Sequence, residues 1–200
     1  MSRVSFDLYS IEYLKDGSEH QRRAYAVLKE LGLIEKISLW TGGEIEMGLH
    51  LTLAGSVPID VAVENSDLDI IVCAPDLKVM GEIFRRELGS FHGFRQERGI
   101  VLGVATLMTH FEFGGEVFEI FTQNVPIPRQ NAVVHMLVEE RLLLLGGDGF
   151  RDKVMALRRA GVKTEPAFGE VLGLEEPYRD LLALEDLSDA ELRERFSDKF

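Results

Sequence analysis

LAGSVPIDVAVENSDLDIIVCA, residues 53–74, is the stretch on which the fold and the chemistry of this chain turn. A small Gly55-Ser56 turn opens it, and eleven positions after Ser56 an aspartate pair, Asp67 and Asp69, begins to interrupt an apolar run. Successive side chains in a strand alternate faces, so positions 67 and 69 share one face with their Cβ atoms roughly 7 Å apart. Leu68, Ile70, Ile71, Val72 and Cys73 read as a strand buried on both sides, where like charges are costly unless paired or coordinated. An Asx turn at Asp67 and a solvent-facing strand end at Asp69 would be the ordinary uses of two such residues. With Gly-Ser upstream at this spacing, a shared hard cation is the better reading, because a divalent ion removes the repulsion.

Working outward, Ser18-Glu19-His20-Gln21 has capping-box spacing, and Ala24, Val27, Leu28 and Leu31 step by three and four before Gly32, which predicts a first helix. Leu33 to Met47 mixes apolar residues with Gly42-Gly43 and reads as a short helical turn and a loop, and Leu49 to Ala54 enters the first strand. After the aspartate strand, Pro75 and Asp76 start a helix, Leu77 to Leu88, closed at Gly89. Phe94 to Val101 and Val104 to Phe113 read as strands, and Gly114-Gly115 forms a two-residue hairpin turn into the strand Glu116 to Thr122.

That hairpin carries its own argument. With the glycines at the turn, position 113 pairs with 116 and position 110 with 119, so His110 lies opposite Glu119. Glu119 stands between Phe118 and Ile120, and an acid in such company is either a salt-bridge partner of His110 or a metal-site carboxylate. Glu112 and Glu116, nearer the turn, read as solvated charges.

The rest of the chain predicts helices: Asn131 to Leu145 ended by Gly146-Gly147, Phe150 to Ala160 ended by Gly161, a third capped by Thr164 and a terminal one opened by the capping box Ser188-Asp189-Ala190-Glu191. Asn131, His135 and Glu139 share a helical face that could line a substrate cleft, with His135 the candidate among them, but it reads first as an ordinary polar face. Arg158, Arg159 and Lys163 gather near a helix C-terminus, where positive charge suits the dipole; a phosphate contact at Lys163 is the less ordinary use.

The chain has 200 residues, 46% of them hydrophobic, and its one cysteine, Cys73, sits in the apolar strand and reads as a core residue. A formal charge of −12 argues against an extended nucleic-acid surface, which needs clustered Lys and Arg. No apolar run approaches membrane-spanning length, and the segment MSRVSFDLYSIEYLKDG lacks the apolar core of an export signal, so a cytoplasmic location is expected.

Together, Gly55-Ser56, Asp67-x-Asp69 and Glu119 resemble the nucleotidyltransferase superfamily, the DNA polymerase β-like group. Tyr13-Leu14 through Gln21 and Ala24-Tyr25 early, and Lys163-Thr164-Glu165-Pro166-Ala167-Phe168 late, resemble an uncharacterised bacterial branch known as a domain of unknown function. The resemblance implies an α+β fold with a mixed sheet flanked by helices: an α/β core at 1–130 and a C-terminal helical extension at 131–200, packed on it as one compact unit. It implies catalytic and metal-binding roles for Asp67, Asp69 and Glu119, nucleotide binding at Gly55 and Ser56, and a possible cleft with His110, His135 and Lys163. The implied cofactor is Mg²⁺ or Mn²⁺, with an NTP as substrate. The implied reaction moves a nucleoside monophosphate to a hydroxyl of a small molecule or protein; the alternative is a catalytically inactive module of the same fold that binds a nucleotide or a partner protein.

Overall fold

The structure, a computed structural model, describes residues 7, 8, 10–40 and 51–200. Helix α1, Glu19–Leu31, starts at the Ser18 capping box, where Gln21 N donates to Ser18 Oγ and Ser18 N donates to Gln21 Oε1. Where the spacing suggested a short helical turn, Leu33–Trp40 forms a second helix, α2, because Leu33, Ile34 and Ile37 supply a buried stripe. The part of that stretch from 41 to 50, with the Gly42-Gly43 loop and the expected start of the first strand, lies outside the described residues.

Strand β1, Leu51–Ala54, pairs antiparallel with β2, Leu68–Cys73, and helix α3, Leu77–Leu88, follows with Asp76 capping Lys78 N and Val79 N. Strands β3, His92–Val101, β4, Val104–Phe113, and β5, Glu116–Gln123, complete a five-stranded sheet of order β1-β2-β5-β4-β3. Gly114 and Gly115 both have positive φ, 60° and 82°, as a type I′ turn requires, and the register follows: Phe113 opposite Glu116, His110 opposite Glu119. The β2–β5 pairing is the parallel one, and it sets Asp69 beside Glu119.

Alternation then assigns the two faces. Leu68, Ile70 and Val72 of β2, with Phe118 and Ile120 of β5, pack under α1, α2 and α3. Ile71 faces the other way, into a second core with helices α4, Asn131–Arg159, α5, Thr164–Leu172, α6, Pro177–Leu182, and α7, Asp189–Arg195. Buried Gln130 anchors this layer, its Nε2 donating to Val72 O at 3.1 Å and Val125 O at 3.0 Å. The two helices expected across 131–160 both lie within Asn131–Arg159, divided by a kink at Gly147, which leaves helical geometry (φ 63°, ψ −160°) in the glycine pair expected to end the first of them. Thr164 is the first helical residue, not the cap. Ala167 N bonds to Lys163 O, which makes Lys163 the cap, and Pro166 is tolerated because first-turn N–H groups need no helical partner. Ser188 does form the expected capping box at α7.

Glu116 is a further correction. It is buried and ion-paired with Arg23 of α1, so the end of the hairpin is covered by the helix and not solvated. Among the described residues, no helix is long and apolar enough to cross a membrane.

The second core joins Ile71 to Val133, Met136 and Phe168, so the part of the sheet that carries Ile71 is covered only while the C-terminal helices are present. We therefore expect a chain ended at Gln130 to be insoluble or to unfold without a cooperative transition. A soluble fragment with a sharp thermal transition by circular dichroism would contradict this.

Candidate active site

A cleft of about 370 Å³ lies between the sheet and the C-terminal helices. Its sheet-side wall contains Gly55, Ser56, Asp67, Asp69 and Glu119, and its helix-side wall contains His135, Glu139, Lys163 and Glu165, with Arg158 between them. Asp69 and Glu119 are partners in the parallel β2–β5 register, so they stand side by side on one face; Asp67 immediately precedes β2 and is exposed. The carboxyl of Asp69 is pushed up to about 8, first by burial, then by the negative charge of Glu119 and of Asp67. Among the described residues, the acids and histidines are not drawn together into a ligating cluster of three or more.

The turn preceding Asp67 is built against Asp69. Gly55 has φ +74°, and a Cβ placed on it would fall on Asp69 Oδ2, so glycine is required both by the backbone and by the carboxylate. Ser56 is 5% exposed and its carbonyl accepts from Val61 N at 3.0 Å, closing the turn. Three side chains clasp the segment that follows. Gln21 Nε2 donates to Val57 O and Pro58 O at 3.1 and 3.0 Å; Arg151 donates to Ile59 O at 3.1 Å and also to Asp60 O. Arg158 donates from Nε to Val61 O, from Nη2 to Ser66 Oγ, both at 3.2 Å, and from Nη1 to Val162 O at 2.8 Å.

Arg158 is thus 9% exposed and ties the acid-bearing loop to the helical layer, a role the helix-dipole reading of its position did not anticipate. His135 and Glu139 differ likewise from the solvated face expected of them: both are buried, and both line the cleft. His135 Nε2 meets Tyr178 O at 2.7 Å, and since a carbonyl only accepts, that nitrogen carries the proton. Lys163 lines the cleft and is exposed. His110 is outside the lining; its Nδ1 stands 3.8 Å from Glu119 Oε2, the contact that the hairpin register offered as one of two uses of Glu119. Glu165 lay within the late motif Lys163–Phe168 without an assigned role, and the sequence signal for Glu139 was its position one turn beyond His135.

A family model described as a domain of unknown function (DUF4269) matches residues 26–184. No curated protein matches the sequence. Among solved structures, the chain is similar to Cid1, an RNA terminal uridylyl transferase, at 17% identity and TM-score 0.51 over 77% of this chain and 46% of that one. The Cid1 poly(U) polymerase with Mg and 3′-dATP bound is similar at 18% identity and TM-score 0.50, over 82% of this chain and 47% of that one. The non-canonical poly(A) polymerase complex GLD-2–GLD-3 is similar at 13% identity and TM-score 0.51, over 95% and 62%. The chain spans about half the length of the Cid1 structures it matches. At these identities the likeness establishes the fold, which is that of the nucleotidyltransferase superfamily, as the motifs of the sequence implied.

Two outcomes follow from the site's electrostatics. With its folded pKa raised to about 8, above the usual value near 4, Asp69 favours the folded state fully only below pH 4, and that contribution is lost as pH rises through 8. In buffer with a chelator, Asp69→Asn should therefore melt higher than the wild type at pH 8, with the gap closing towards pH 4; a lower melting temperature at pH 8 would mean that the carboxylate is a structural cap. Arg158→Ala leaves two carbonyls and a hydroxyl without their donor and should destabilise the fold by about 2–4 kcal/mol in urea titrations, whereas a change below about 0.5 kcal/mol would contradict the clasp.

Proposed function

The chain belongs to the DUF4269 family, and from its fold and cleft we propose that it is a Mg²⁺-dependent nucleotidyltransferase, moving a nucleoside monophosphate from an NTP to a hydroxyl of a small molecule or protein. The observation that carries the reading is the pairing of Asp69 with Glu119 across adjacent parallel strands, at a cleft wall that also holds the Gly55-Ser56 turn. Two carboxylates held side by side, one with its pKa pushed up first by burial and then by the charge of the other, form a wall that favours a cation. Their donor chemistry fits Mg²⁺ or Mn²⁺: Asp67, Asp69 and Glu119 offer only oxygen atoms, open to the cleft. When bound, the metal supplies charge neutralisation and alignment of the α-phosphate.

The chain's own residues have separable tasks in this reading. Gly55, with no Cβ, admits the phosphates close to the backbone, and Ser56 offers a hydroxyl donor to them. Lys163, at the cleft rim, meets phosphate charge as a flexible point cation. His110 holds Glu119 in orientation, and His135, locked on Tyr178 O, shapes the acceptor side. In the transfer, the acceptor oxygen bonds to the α-phosphorus, the bond from that phosphorus to the β-phosphate bridge breaks, pyrophosphate leaves and the hydroxyl proton is released to a carboxylate or to solvent. The net charge of −12 supports an acceptor other than extended nucleic acid.

Incubating the protein with α-labelled NTPs, Mg²⁺ and cell extract should transfer label to an acceptor, and Asp69→Ala should lower the transfer by roughly 100-fold. Equal labelling by wild type and variant would contradict the assignment. Nucleotide binding with no transfer to any acceptor would favour the inactive binding module instead.

A further inference from the structure

The helix-side wall of the cleft carries a second pair of acids that the transfer chemistry does not use. Glu139 of α4 is 2% exposed and lines the cleft, yet its Oε1 has no hydrogen-bond partner among the described residues. Glu165, in the first turn of α5, lines the same wall and stands 3.7 Å from His135 Nδ1. Burial, and then the negative charge of Glu165, raise the Glu139 carboxyl well above the usual carboxylate range.

The neighbouring cation, Arg158, acts on this pair through its charge but donates no hydrogen bond to it. Arg158 donates to Val61 O, Val162 O and Ser66 Oγ, and makes no ion pair with either glutamate among the described residues. His135 spends its Nε2 proton on Tyr178 O. A buried carboxyl oxygen without a donor is costly, so the arrangement calls for a donor supplied from the cleft. Two neighbouring acids repel a phosphate and favour a positive group, and an ammonium brings three donors to share between two carboxylates.

We propose that Glu139 and Glu165 form an ammonium-binding subsite, which receives the amine of an amino alcohol or amino sugar while a hydroxyl of the same molecule reaches the Asp69–Glu119 wall. This rests on the transfer reading of the cleft and names the acceptor class for it. The amine takes no part in bond making; the hydroxyl oxygen bonds to phosphorus and pyrophosphate leaves, as above.

The test uses the full chain at fixed ionic strength, with glucosamine as the probe and N-acetylglucosamine, its neutral twin, as the comparison. Calorimetric titration without nucleotide or metal should register glucosamine and show N-acetylglucosamine at least tenfold weaker. Glu139→Gln and, independently, Glu165→Gln should each weaken glucosamine at least tenfold, while exposed Glu194→Gln leaves it unchanged and none of the three variants binds MgATP more weakly than the wild type does. Equal binding of the acetylated twin, no binding of glucosamine by the wild type, or Gln variants indistinguishable from it would overturn the subsite. Failure of the wild type to bind MgATP, with glucosamine still held by the glutamates, would instead count against the transfer reading alone. Should Glu139→Gln fail to fold, the glucosamine affinity of Glu165→Gln decides the matter by itself.

Discussion

The constraint from which the rest follows is the repulsion between Asp69 and Glu119, held abreast on two parallel strands. Neither acid is free to swing away, because each is flanked in its strand by residues packed into the opposite core: Leu68 and Ile70 for Asp69, Phe118 and Ile120 for Glu119. A one-residue slip of either strand would send its acid into that apolar layer and bring large hydrophobic side chains to the cleft, so core packing fixes the distance between the charges. The fold thereby maintains an electrostatic conflict, and burial first, then this repulsion, push the Asp69 carboxyl up to about 8.

A conflict of this kind is useful only where the surrounding backbone is fixed, and here the fixing comes from opposite ends of the chain. Gln21 near the N-terminus and Arg151 and Arg158 of α4 all donate to the segment that links Gly55 to Asp67. The loop accepts from them through its carbonyls, so its path does not depend on a regular element of its own. Because Arg158 also holds Val162 O, just before α5, the helix-side wall and the acid-bearing loop are set by one guanidinium. The planar fork suits that task in a way an ammonium would not, since its donors diverge at fixed angles to three separate acceptors.

What the sequence made legible was local or periodic. The hairpin register came from two glycines whose positive φ allows only a tight turn, and it put Glu119 opposite His110 before any tertiary information was available. The capping boxes at Ser18 and Ser188 were readable for the same reason. The neighbouring of Asp69 and Glu119 was not: it crosses α3, β3 and β4, and only the family resemblance linked the two acids. Glu139 and His135 read as a solvated stripe because a polar helix face ordinarily is one; the elements that cover them, α5 and α6, arrive later in the chain and carry no local signal of where they dock. Arg158 was misread in the same way, since a cation near a helix C-terminus needs no further reason to be there. Glu116 looked solvated from its place beside a turn, and Arg23 of α1 buries it.

The central claim is that the Asp69–Glu119 wall is where a metal and a nucleotide meet. A crystal grown with Mn²⁺ and an NTP analogue that cannot be cleaved between its α- and β-phosphates tests it directly, through the anomalous signal of the metal. A metal peak at the Asp69 and Glu119 carboxylates, with the nucleotide in the same cleft beside Gly55, is the expected result. Nucleotide bound elsewhere on the chain, or in this cleft with no metal peak at these two acids, would contradict it.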